Sequence, residues 1–368
     1  MMTTRYVLFD ASIEQIDPDE EQTFQAIAAT MHNISVKMFE RYQHAVRSVH
    51  AKTHGVLKGE LIVREGLPRH LAQGVFSAPA VYSVLARYST TPGDILADSI
   101  STPRGLAIKI IGVPGPKLDG HEDAMTQDFV MINGPAFSVP KAADFLKQMQ
   151  LLDKHANDPD ALKQAVSTTA RGTNALLHVI GQDSAALASF GHPETNLIGE
   201  SFSSLAALRY GEYVAKLRVV PVTPAMQALK DQPLKMHDHP SAIRDAVTAF
   251  YAENEAVYDV QVQLCSDLAE MPVEDPTVVW PEEQSPWHSV AELRFPRQDS
   301  FNPARVAWTQ DVISFSPWHG LQAHRPLGQI MRARKRAYEM SAHYRREMNG
   351  RAPVEPISID DIPDHAVA

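Results

Sequence analysis

A single cysteine, Cys265, excludes an intrachain disulfide framework, a zinc ribbon and a cysteine-ligated iron–sulfur centre. No run of about 18 apolar residues occurs, which excludes a membrane-spanning helix. The opening "MMTTRYVLFDASIEQIDPDE" has no apolar segment after a basic start, so a cytoplasmic protein is expected. Basic residues are in deficit: 34 Lys and Arg against 44 Asp and Glu leave a net charge of -10, which argues against nucleic-acid binding. No GxGxxG follows a strand, strict strand–helix alternation is missing, and no GxSxG elbow occurs; a dinucleotide-binding domain and a hydrolase elbow are therefore not expected. Repeats and low-complexity tracts are absent. With 44% hydrophobic residues in 368, the chain can bury a large core.

The elements that are present describe an α+β protein. "DPDEEQTF" has the form of a helix start, with Asp17 as cap, Pro18 in the first turn and Glu20 three residues after the cap. Phe24, Ile27, Met31, Ile34 and Met38 continue it as an amphipathic helix that is expected to run to about Arg47. From Val56 the texture is that of strands: "VLKGELIV", "VYSVLARYS", "GLAIKIIGV" and "DFVMI", then "YGEYVAKLRVVPV", "AVYDVQVQLC" and "SVAELRFP". Residues 141–190 between them read as helical, including "KAADFLKQMQLLDKHA" and "DALKQAVSTTARGTNALLHVI". A last helix lies in "RPLGQIMRARKRAYEMSAHYRREMNG". The pattern predicts an antiparallel barrel with flanking and inserted helices. Its expected organisation is an N-terminal arm and helix over 1–45, a barrel domain over 46–350 and a tail over 351–368.

Two motifs carry chemistry. "RSVHAKTHG" sets Arg47, His50, Lys52 and His54 at the entrance to the first strand. In the last helix Arg334, Tyr338 and Arg345 fall along one face, while Arg332, Arg336 and Arg346 point elsewhere. An arginine one turn before a tyrosine favours its phenolate, a hard anionic ligand for ferric iron. The other reading of that stripe is a solvated basic helix face. His50 and His54 have the spacing of an HxxxH zinc pair, but the Glu after the first His is missing and the following residues are strand-like.

Taken together these pieces resemble the catalase family. "RSVHAKTHG" is similar to its Arg-x-x-His-Ala-Lys signature, "VLARYS" to its Arg-Phe-Ser strand, "STPRGLAIKI" to its Pro-Arg-Gly-Phe-Ala segment, and "RKRAYEMSAHYRR" to its haem-ligand helix. "NLIGESFSSLAALRYGEYVAKLRVVPV" also looks like the smaller catalase-related haem proteins. The resemblance spans about residues 45–350 and implies haem b (iron protoporphyrin IX), with Tyr338 as its iron ligand and Arg334 keeping that ligand anionic. It implies Arg47, Arg87 and Arg345 as partners of the haem propionates, Arg104 in a structural role, and His50, beside Val49, as the distal acid/base. Where full catalases have an Asn that helps bind peroxide, "DAMTQDFVMINGP" has none at the expected place; Gln127 is the best polar substitute and Asp128 its competitor. One extra residue after the histidine motif leaves His54 as the alternative distal residue.

The expected function is that of a haem peroxidase or weak catalase acting on hydrogen peroxide or organic hydroperoxides with an organic electron donor. The alternatives are a fatty-acid hydroperoxide lyase or isomerase on the same scaffold, and a barrel that binds haem or an apolar ligand without turnover. Self-association into a homo-oligomer is left open. Other residues have plainer expectations: His319 and His324 in a loop that caps the last helix, Phe137 and Phe145 in the core, His237 and His239 on a surface loop, and Cys265 buried and inert.

Overall fold

In the computed structural model, residues 6–158 and 192–365 are described. The predicted helix within 160–180 therefore lies outside the described residues. Nine strands form one sheet: β1 (Lys52–Val63), β2 (Val81–Thr90), β3 (Arg104–Ile111), β4 (Thr126–Ile132), β5 (Phe202–Ser203), β6 (Leu208–Tyr210), β7 (Tyr213–Pro221), β8 (Ala256–Leu264) and β9 (His288–Phe295). Their order is β5-β4-β3-β2-β1-β9-β8-β7-β6, and pairing of β5 with β7 closes eight of them into an antiparallel barrel. Closure removes the unpaired edges that an open sheet would leave.

Alternation along each strand separates two apolar compartments. Leu57, Tyr88, Leu106, Phe129, Val219 and Leu293 point inward and fill the barrel. Val56, Leu85, Ala107 and Val130 point outward, where Ile313, Phe315 and Ile362 meet them. A fully buried Leu, Ile or Val contributes about 1.5–3 kcal/mol, so both faces of β1–β4 are committed to packing. β1 carries one irregularity. Thr53 pairs with Ser89 but Gly55 pairs with Tyr88, so His54 is the extra residue of a bulge.

Six α-helices occur among the described residues: α1 (Glu20–Tyr42), α2 (Ala142–Lys154), α3 (Pro224–Gln227), α4 (Ala242–Glu253), α5 (Pro303–Asp311) and α6 (Gln329–Met348). Phe24, Ile27 and Met31 of α1 meet Ile330, Ala333 and Ala337 of α6, with Ala142 and Met149 of α2 completing the contact. Both longer helices present their apolar residues at i, i+3 and i+7, the spacing of one helical stripe.

Helix α1 differs from expectation at both ends. Asp17 does not cap it: the helix starts at Glu20, and the Asp17 carboxylate accepts from Gln329 Nε2 at 2.9 Å instead. It ends at Tyr42, not Arg47, because Gln43 adopts a left-handed conformation and its N–H closes the helix on Phe39. Residues 44–51 are thereby released as an irregular turn between α1 and β1. The cap of α6 is Gly328, the last residue of the loop that holds His319 and His324, so that loop caps the helix through its glycine. His324 is buried among Phe76, Phe129 and Tyr210, and its Nε2 accepts from the Val75 N–H at 2.9 Å.

Beyond α6 the chain returns to the barrel. Glu355 pairs with Lys109, Ile362 is buried against the outward face, and Asp364 accepts from Arg305 Nε at 3.0 Å. No helix among the described residues is long and apolar enough to cross a membrane.

Candidate active site

The turn before β1, the outward face of β2–β4, α1, α6 and residues 314–315 line a cavity whose empty space, counted with the part open to solvent, is about 580 Å³. Arg47, His50, Arg87, Tyr338 and Arg345 all line it. Residues about 290 positions apart in sequence thus share one space.

His50 is held from several sides. Its φ of 54° is left-handed, a conformation that His tolerates better than most residues. The ring Nδ1 lies 3.2 Å from Ser89 Oγ. Behind it sits Gly105, where a Cβ would come within 2.7 Å of both Cε1 and Nδ1 of the ring. Burial, followed by the charges of Arg87, Arg334 and Arg47, lowers the His50 pKa to about 3, so the imidazole is neutral at neutral pH.

His54 takes no part in this wall. The bulge turns it away; it is fully buried, with Nε2 2.9 Å from Thr90 Oγ1. Gln127, expected as the polar substitute for the peroxide-binding Asn, is also not among the residues that line the cavity. It shares strand parity with Phe129 and Met131, which face the barrel interior, and its amide is consumed. Gln127 Nε2 donates to the Asp128 carbonyl at 2.9 Å, and Oε1 accepts from the Leu321 N–H at 2.8 Å. The competing Asp128 is locked in a buried ion pair with Lys109 at 2.8 Å. On β4 the side chain that faces outward beside the cavity is Val130.

On the opposite side α6 presents Tyr338, with Arg334 Nη2 donating to its Oη at 2.7 Å and the guanidinium 5.1 Å from the ring. The other arginines of this helix do point elsewhere. Arg332 is held by Glu14, Glu20 and Glu274 at 2.7–3.1 Å, Arg336 pairs with Glu21, and Arg346 donates to Ser314 Oγ.

Arg47, Arg87 and Arg345, unlike Arg332 and Arg336, have no carboxylate within ion-pair distance among the described residues, although the charge of Asp311 reaches Arg47 and Arg345 from farther off. Arg47 donates to the Thr309 carbonyl at 2.6 Å, Arg87 to the His50 carbonyl at 2.8 Å, and Arg345 to the Ile313 carbonyl at 2.9 Å. Burial, then repulsion from a neighbour in the same set, lowers each pKa: Arg87 acts on Arg47, Arg345 on Arg87, and Arg47 on Arg345. Arg345 Nε has no hydrogen-bond partner. A cavity with a phenol on one side, an imidazole on the other and unbalanced guanidinium charge in its wall fits a flat metal complex with carboxylate substituents.

Several other expected residues serve the scaffold. Arg104 pairs with Glu200, a structural contact. Phe137 and Phe145 pack with tilted rings 5.5 Å apart against the α1–α2–α6 contact and are not among the residues lining the cavity. Cys265 is buried, and burial pushes its thiol up to about 11. Sequence reasoning passed over Ser89 and Gly105, although each belongs to a motif it had quoted.

The family model described as Catalase matches residues 18–353. Among solved structures the chain is similar to a fungal catalase (18% identity, TM-score 0.59, covering 84% of this chain and 61% of that one). It is similar to catalase A from Saccharomyces cerevisiae (18%, 0.58, 84% and 63%) and to a bacterial catalase (18%, 0.58, 84% and 59%). The chain thus spans about three-fifths of the length of these catalases. No curated protein matches it.

Proposed function

The chain belongs to the catalase family, and from that premise we propose that it is a haem b enzyme that reduces hydrogen peroxide or organic hydroperoxides, as a peroxidase or a weak catalase. The observation that carries this reading is the joint lining of one cavity by neutral His50 and by Tyr338, itself hydrogen-bonded to Arg334.

Tyr338 would hold the iron through Oη, the atom to which Arg334 Nη2 donates. Arg47, Arg87 and Arg345 would meet the two carboxylates, which supply the negative charge this wall lacks. Bound there, the haem would supply the redox chemistry that breaks the peroxide O–O bond. His50 moves the proton. With Nδ1–H donated to Ser89 Oγ, its Nε2 takes the proton of the peroxide hydroxyl. The same nitrogen returns that proton to the departing oxygen, which leaves as water or an alcohol. Two electrons and two further protons then close the balance, supplied by a small organic donor or, in catalase turnover, by a second peroxide. The imidazole is free to act because burial, reinforced by the neighbouring arginine charges, keeps it unprotonated.

The ultraviolet–visible spectrum of the purified, haem-supplemented protein tests this reading. A Soret band is expected, and Tyr338→Phe should abolish or shift it. A protein that stays colourless with haem refutes the proposal. With a Soret band present, oxygen release compared with donor oxidation separates catalase from peroxidase turnover.

A further inference from the structure

The buried polar atoms around this cavity are nearly all accounted for, and one that is not stands between two functional side chains. Ser48 follows Arg47 and precedes Val49 and His50. It lines the cavity, is 2% exposed, and its Oγ has no hydrogen-bond partner among the described residues. An unmade bond on a buried hydroxyl costs about 1–3 kcal/mol unless something else satisfies it. The position is not loose: the Ser48 N–H donates to Ser341 Oγ of α6 at 3.2 Å. Ser341 lies three residues after Tyr338 and four before Arg345, so it shares their helix face. The Ser48 backbone is thus pinned to the tyrosine-bearing helix while its hydroxyl is left available. Arg345 Nε, in the same wall, is likewise unpartnered.

Resting on the reading of the cavity as a haem site, we infer that Ser48 Oγ is a hydrogen-bond donor to a carboxylate of the cofactor, working with the arginines that line the same cavity. The wall then offers a neutral donor among cations. A hydroxyl donor adds a directed bond without adding to the mutual repulsion of Arg47, Arg87 and Arg345. Ser48 is therefore a binding residue for the cofactor's acidic edge, distinct from the proton-moving His50 two positions on.

The test compares haem b with its dimethyl ester in wild type, Ser48→Ala and Ser48→Thr. Haem-loaded protein is mixed with excess apomyoglobin and the rate of haem release is followed. For haem b, Ser48→Ala should release about ten- to hundredfold faster, the range of one lost hydrogen bond to a charged group. Ser48→Thr keeps the hydroxyl and should stay within a few-fold of wild type. With the dimethyl ester, wild type and Ser48→Ala should release at similar rates, since the charged acceptor is gone. Equal release of haem b from wild type and Ser48→Ala overturns the assignment, as does an equally large loss with the ester. A wild-type protein that takes up no haem overturns the haem reading itself, and this inference with it.

Discussion

Gly105→Ala isolates the catalytic geometry from the fold. An added Cβ would stand 2.7 Å from His50 Cε1 and Nδ1 and 3.1 Å from Ser89 Oγ. Carbon–carbon contacts are comfortable at about 3.5–4.0 Å, so the ring must retreat by roughly 1 Å. Backing away also stretches the Ser89 contact that orients the imidazole, already 3.2 Å long. A displacement of about 1 Å at a reacting group can cost on the order of 100-fold in rate. The rest of the protein has little reason to change: β3 pairs on both sides, and residue 105 has ordinary strand neighbours at Ser89 and Ile132. The expected result is an unchanged Soret band and denaturation midpoint with peroxide turnover about 100-fold lower in stopped-flow assays. Wild-type turnover in a folded, haem-loaded Gly105→Ala would refute the placement of His50 as the proton-moving group.

Three further outcomes follow from the same geometry. His50→Ala should lower peroxide turnover by about 10²–10⁴-fold, whereas His54→Ala should lower the urea midpoint while specific activity per haem is kept; the reverse pattern would exchange the two imidazoles. Gln127→Ala should cost about 1–3 kcal/mol in urea unfolding by stripping the Leu321 N–H of its acceptor, with peroxide kinetics preserved; a kinetic loss without destabilisation would return Gln127 to the site. His324 has a folded-state pKa lowered by burial to about 3, against about 6.5 unfolded, so the unfolded chain binds its proton first as pH falls. Stability should fall from about pH 6.5 towards 3, by up to about 1.4 kcal/mol per unit for this group. His324→Gln, which keeps an acceptor for Val75, should show a flatter urea-midpoint profile between pH 7 and 5, and an unaltered slope would assign the acid loss to other groups.

How far the sequence was legible depends on which kind of order each residue obeys. The Arg334–Tyr338–Arg345 face follows from helix periodicity, a local rule, and the structure keeps it. The barrel strands were legible from their β-branched runs and turn residues. His54 was a real competitor to His50 because its removal from the cavity depends on a bulge, and a bulge exists only relative to the partner strand. Gln127 was chosen for its amide, while strand parity with Phe129 and Met131 already assigned it to the interior. The early end of α1 at Gln43 had no glycine or proline to mark it. Ser48 carried no signal, since an unpaired hydroxyl is visible only when every possible partner has been located.

The separation of His50 from Tyr338 bears on when the protein can acquire its cofactor. About 290 residues of synthesis lie between them. At about 5–20 residues per second a ribosome needs roughly 15 s to a minute to make that stretch. For that interval the turn carrying Arg47, Ser48 and His50 has no opposing wall, and no phenolate is available to hold a metal. On the proposed haem reading, cofactor loading is consequently a late event in biogenesis, after α6 has docked on α1. A chain whose α6 has not yet docked would carry the barrel strands but only one wall of the cavity.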